Sequence, residues 1–158
     1  MQKIKNIPYG AGDFESVQLK NDYYVDKTSY IPMIEKSRFL FLIRPRRFGK
    51  TLFLSMLHSY YDIQKKDNFE KFFHNTYILN NPTPDRGKYM ILYFNFSAIT
   101  KEKEYVQSDF NNYCSDNIDH FIYTYREFLP SVLMDHVYSK KTAHEKLHQL
   151  SRGLINSE

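Results

Sequence analysis

Arg44-Pro45-Arg46-Arg47-Phe48-Gly49-Lys50-Thr51 has the residue types and spacing of a phosphate-binding loop. Such a loop is Gly, four residues, then Gly-Lys-Ser/Thr, set between a strand and a helix. Here every position matches except the first, where Arg44 stands in place of Gly. Gly49 lets the backbone turn tightly and bring its N–H groups near phosphate oxygens, because no Cβ intervenes. Lys50 places a compact charge on the β- and γ-phosphates and is the group expected to stabilise charge in phosphoryl transfer. Thr51 offers a hydroxyl to Mg²⁺, and the helix that follows aims its N-terminus at the anion. Arg46 or Arg47 adds charge, and Pro45, Phe48 and Leu52 complete the stretch expected to border ATP.

The surroundings favour this reading over a basic turn that happens to contain Gly-Lys-Thr. No Asp or Glu falls between Glu35 and Asp62, whereas five Lys or Arg fall from Arg38 to Lys50. The near-continuous apolar run of 38–43 predicts a buried parallel strand before the loop. From Lys50 to Ile63, apolar residues cover most of a helix circumference, which predicts a helix largely buried against a sheet. After the turn cluster of 80–87, Tyr89 to Phe96 reads as a second buried strand, so strand, helix, loop and strand make a βαβ unit.

The flanking segments are helical in character. Phe14 to Leu19 forms a short helical turn. Tyr23 to Thr28 is extended, and Thr28 or Ser29 caps a helix through Glu35 with Pro32 in its first turn and Tyr30, Ile31 and Ile34 inward. Asn68 to Phe73 is a short helix. Thr100 caps a long helix with Val106, Phe110, Tyr113, Ile118, Phe121, Tyr125 and Phe128 on its apolar side, ended or kinked by Pro130. Ser131 to Leu150 is helical, and Ser151-Arg152-Gly153 is a stop signal. The expected fold class is therefore α/β, an incomplete parallel sheet with flanking helices, followed by long helices.

A chain of 158 residues with 42% apolar residues, 14 Tyr and 13 Phe has the material for one domain with a core. Its net charge of +4 lies largely in the loop, so anion binding explains it as well as nucleic-acid binding does. The single cysteine, Cys114, has no partner for a disulfide and reads as a buried thiol. The N-terminus lacks the apolar segment of a signal peptide, and no run approaches the ~20 apolar residues of a membrane span. The expected compartment is the cytoplasm, with no membrane partner.

Tyr23-Tyr24-Val25-Asp26-Lys27-Thr28, the run Phe39 to Ile43, and Arg44 to Leu57 together resemble the AAA-ATPase-like family of bacterial proteins. Members often carry a PD-(D/E)XK nuclease-like domain at the C-terminus and write the loop as Arg-Pro-Arg-Arg-Phe-Gly-Lys. The resemblance makes Arg44 a family trait. It implies a P-loop NTPase-like, truncated AAA-like ATP-binding domain over residues 1–158. Within it, 1–37 is an N-terminal segment, 38–100 the P-loop core and 101–158 a helical part. It also implies that Tyr24 and Val25 wall the adenine, although core packing and a cap by Thr28 explain those residues equally well.

The family further implies a Walker B strand ending in Asp-Glu, expected shortly after Leu147 to Glu158. Ile91 to Asn95 ends in a neutral amide, and Val132-Leu133-Met134-Asp135 is short and helical in context. ATP binding with slow or absent hydrolysis is the resulting expectation. The alternatives are a nucleic-acid-binding module, in which Arg44, Arg46, Arg47 and Lys50 grip the backbone while Phe48 stacks on bases, and a defunct ATPase kept as an interaction domain.

His144-Glu145-Lys146-Leu147-His148 matches the H-E-x-x-H zinc-hydrolase signature. The extended form of that motif needs Gly and His where Ser151 and Leu154 stand, and Lys146 puts a positive charge beside the cation. A surface helix with two histidines is the favoured reading.

Overall fold

A computed structural model describes residues 4–99 and 102–155. Thr100, expected to cap the long helix, lies outside the described residues. The chain divides into two compact units, Met1–Met90 and Ile91–Glu158.

In the first unit, α1 (Phe14–Leu19) begins at Asp13, whose carboxylate accepts the Ser16 N–H at 2.9 Å. A 3₁₀ turn at Thr28–Tyr30 leads into α2 (Ile31–Ile34), with Pro32 in the first turn. Then come α3 (Lys50–Tyr61), a 3₁₀ segment at Ile63–Asn68, α4 (Phe69–Phe72) and α5 (Tyr77–Asn80). The core forms where α3 lays Phe53, Met56 and Tyr60 against Phe14, Ile31 and Phe73. The spacing of those three α3 residues is that of one helix face. Burial of each is worth about 1.5–3 kcal/mol, and the rings of Tyr60 and Phe73 meet edge to face at 5.6 Å. Leu54 is exposed, so α3 buries one face instead of most of its circumference.

The turn after α5 is held to this core by one carboxylate. Glu35 Oε1 accepts the Tyr61 hydroxyl at 3.1 Å and the Thr83 hydroxyl at 2.6 Å, while the Thr83 N–H donates to Tyr60 Oη at 2.8 Å. Glu35 and Tyr60 thus fasten the turn at Thr83 to the end of α3.

Among the described residues the expected parallel sheet is absent. The protein is helical, and among the described residues the β pairing amounts to an isolated parallel bridge between Asp62 and Tyr89. The 38–43 run is extended but unpaired: Phe39, Phe41 and Ile43 are more than four-fifths exposed, with Leu42 alone turned toward the core. Tyr89 to Phe94 likewise joins no ladder. An apolar run supplies side chains for a buried strand, but the ladder needs neighbours brought from distant sequence. Those neighbours are not among the described residues, so the α/β assignment with a βαβ core is withdrawn in favour of a helical fold.

In the second unit, α6 (Val106–Thr124), α7 (Ser131–Tyr138) and α8 (Ala143–Ile155) pack together, with α8 against both others. Ile118, Phe121 and Tyr125 point inward as expected, whereas Val106, Phe110 and Phe128 are exposed. Cys114 is buried, which pushes its thiol pKa up. Gly153 does not stop α8. A Cβ there would stand 2.2 Å from Leu133 Cδ1, so the missing side chain is what lets α7 and α8 approach. Lys146 is buried and ion-paired with Asp119 at 2.5 Å. Among the described residues, no helix is long and apolar enough to cross a membrane.

Candidate functional site

The loop before α3 is closed by its own lysine. Lys50 Nζ donates to the carbonyl oxygens of Arg44 at 2.7 Å and Pro45 at 3.0 Å. Gly49 is the N-cap of α3 at φ 72° and ψ 25°, a left-handed conformation that costs Gly nothing. It offers no side chain to cap the first-turn N–H groups, which leaves them available to an anion. Arg47 is also left-handed, at φ 67°, a conformation costing a residue with a Cβ about 1–2 kcal/mol. Arg44 is not among the positive-φ residues, so its site makes no demand for Gly. It serves the loop through its carbonyl, which any residue supplies.

Beside the loop lies a cavity of about 230 Å³, lined by Lys27, Tyr30, Leu42, Arg44, Phe48, Gly49, Lys50 and Phe53. Three cationic side chains share it with aromatic and aliphatic walls, and no carboxylate is among its lining residues. That combination suits a ligand with an anionic part and an apolar part.

Of the residues expected to border a nucleotide, the structure brings together Arg44, Phe48, Gly49 and Lys50. Pro45 takes part through its carbonyl. Arg46, Arg47 and Thr51 are exposed beside the cavity without lining it, and the Thr51 methyl faces Gly12. Leu52 packs on the core. Val25 is exposed and does not line the cavity. Tyr24 is packed on Phe14, ring to ring at 5.2 Å. Burial, with help from the nearby Asp26 charge, pushes its phenol up to about 12.

Lys27, Tyr30, Leu42 and Phe53 are cavity residues that the motif did not point to. Lys27 is held by its neighbours. The Lys27 carbonyl accepts the Tyr30 N–H at 3.1 Å. Asp26 accepts the N–H groups of Thr28 at 2.8 Å and Tyr77 at 2.7 Å, and Thr28 Oγ1 accepts the Ile78 N–H at 3.1 Å. Thr28 therefore fastens α5, and does not cap its own helix. Anchors at 24, 26 and 28 leave Lys27 facing the loop, its ammonium 3.5 Å from where a Cβ on Gly49 would be. The signal in the sequence was that alternation of anchors.

The model of a family described as a predicted AAA-ATPase matches residues 8–157. The chain belongs to this AAA-ATPase-like family. A protein of Azotobacter chroococcum mcd 1, described as an uncharacterized protein in the vnfD 5′ region, is 47% identical over 55 residues. That stretch is 34% of this chain and 11% of that protein, so the chain spans a small part of the relative it matches. No solved structure matches.

The second motif of this AAA-ATPase-like chain has a structural explanation. Glu145 completes a capping box at the start of α8: its carboxylate accepts the N–H groups of Thr142 at 3.1 Å and Lys141 at 3.3 Å, while the Glu145 N–H donates to Thr142 Oγ1 at 3.2 Å. These hydrogen bonds, those from Thr142 foremost, hold its carboxyl below the usual carboxylate range. His144 and His148 are exposed with rings stacked 6.4 Å apart. Among the described residues no group of three or more His, Cys, Asp or Glu could hold a metal ion.

Proposed function

We propose that this AAA-ATPase-like chain binds Mg-ATP at residues 44–51, with the phosphates on the N-terminus of α3. The observation that carries this reading is the convergence of left-handed Gly49, the uncapped start of α3 and the Lys50 ammonium on one cationic cavity. The phosphates would take the first-turn N–H groups and Lys50, while Arg44 adds charge. Phe48, Tyr30, Leu42 and Phe53 would cover the apolar part of the nucleotide.

Mg²⁺, when bound, neutralises phosphate charge. Thr51 fits a metal ligand here because it is exposed and no described residue is shown bonding its hydroxyl. Mg²⁺ keeps several waters and leans on substrate phosphates, so one protein hydroxyl can suffice as its ligand from the chain. Hydrolysis needs more than this: a carboxylate must orient the attacking water, and none lines the cavity. The described residues therefore bind and orient, and turnover requires an acidic group supplied from elsewhere.

The exposed Arg46, Arg47 and Phe48 favour nucleic acid as the second reading. Equilibrium binding of Mg-ATP to wild type and Lys50→Ala tests the first. Affinity for single-stranded nucleic acid that falls steeply with salt and needs no Mg²⁺ would favour the second.

A further inference from the structure

We propose that Lys27 is a second phosphate-holding cation, which recognises the terminal phosphate and makes the site prefer a nucleoside triphosphate to a diphosphate. The proposal rests on the ATP-binding reading and names a residue and a selectivity which that reading does not contain.

The Lys27 ammonium is placed against Gly49, at the cap of α3, from a segment separate from the loop. Lys50 lines the same cavity, with its ammonium fixed by the Arg44 and Pro45 carbonyls. Lys50 is thus satisfied within the loop, whereas none of the hydrogen bonds or ion pairs among the described residues engages the Lys27 ammonium. Arg44 lines the cavity too, so three positive groups share a space without a carboxylate. Their mutual repulsion is relieved when an anion enters, more so for an anion of greater charge.

The position of Lys27 is also too well determined for a solvated surface lysine. Its carbonyl accepts the Tyr30 N–H, and the residues on either side are bound to α5 through Asp26 and Thr28. Its ammonium takes no part in the ion pairs among the described residues. Its removal therefore alters charge at the cavity and leaves the fold in place.

The test measures equilibrium affinity for Mg-ATP and Mg-ADP in wild type, Lys27→Ala and Lys27→Met, with thermal melting of each. The expected result is unchanged melting, Mg-ATP affinity lowered about tenfold in both variants, and Mg-ADP affinity lowered much less, as loss of one charge-assisted contact to the terminal phosphate requires. Wild-type binding of Mg-ATP, with an ATP-to-ADP affinity ratio in both variants unchanged from that of the wild type, would overturn this proposal and leave the ATP-binding reading standing. Failure of the wild type to bind Mg-ATP would overturn both. Should Lys27→Ala not fold, Lys27→Met keeps the aliphatic stem and decides the matter alone.

Discussion

Lys50 bonds the carbonyl oxygen of Arg44 at 2.7 Å, so the first and seventh residues of the loop are tied together by the lysine ammonium. The contact explains how the loop keeps its shape without Gly at its first position. Arg44 contributes a backbone oxygen and has no positive φ to adopt. The left-handed positions are Arg47 and Gly49, and only the second carries Gly. A residue type that departs from the general motif is therefore neutral to the backbone, and its guanidinium is free to line the cavity.

Asp26 joins the Lys27 segment to α5 by accepting the Tyr77 N–H, while its other oxygen accepts the Thr28 N–H. Asp26→Ala removes both acceptors and should lower unfolding stability by about 1–2 kcal/mol, the usual loss for a helix-capping carboxylate. Urea denaturation measures it. An unchanged midpoint would mean that the clip is not formed in solution.

The Tyr24 phenol, pushed up to about 12 chiefly by burial, gives the first unit an alkaline limit. A phenol whose folded pKa lies above its unfolded value of about 10 contributes stability that is fully present below pH 10. That contribution is lost as pH rises toward 12. Tyr24→Phe should flatten part of this loss in denaturation experiments. Burial and Glu35 raise Tyr61 as well, so some slope should persist. A slope identical to wild type would contradict the assignment to Tyr24.

Glu145 makes the opposite prediction at acid pH. Its carboxyl is held low by the capping box, so its contribution is present above the ordinary value of 4.5 and is lost as pH falls through the lower folded value. The helical circular-dichroism signal should weaken on acidification in wild type, and Glu145→Ala should remove part of that dependence. Zinc should confer no hydrolytic activity. Zinc-dependent peptide cleavage abolished by Glu145→Ala would show that the carboxylate serves chemistry and not the cap.

The parts of this protein that were legible in the sequence are those determined over a few residues. Gly49-Lys50-Thr51 marks the start of α3 because the turn, the charge and the helix entry are consecutive. Phe14–Leu19 and the long helix are likewise legible from the local spacing of their apolar residues. The sheet was misread because Phe39 to Ile43 is apolar without having partners, and pairing is a non-local property. Tyr24 and Val25 were placed at the base by family resemblance. The period-two anchoring at 24, 26 and 28 instead puts Tyr24 in the core and turns Lys27 toward the loop. Gly153 was read as a stop because its contact with Leu133 comes from another helix.

The central claim is that residues 44–51 form a phosphate site that depends on Lys50. Titration of Mg-ATP into wild type and Lys50→Ala, with melting curves to show that both are folded, tests it most directly. The account predicts saturable binding to the wild type and affinity at least about tenfold weaker in the variant, since the lost group is a charge-assisted donor to phosphate. Equal affinity in the two proteins, or no binding to a folded wild type, would contradict it.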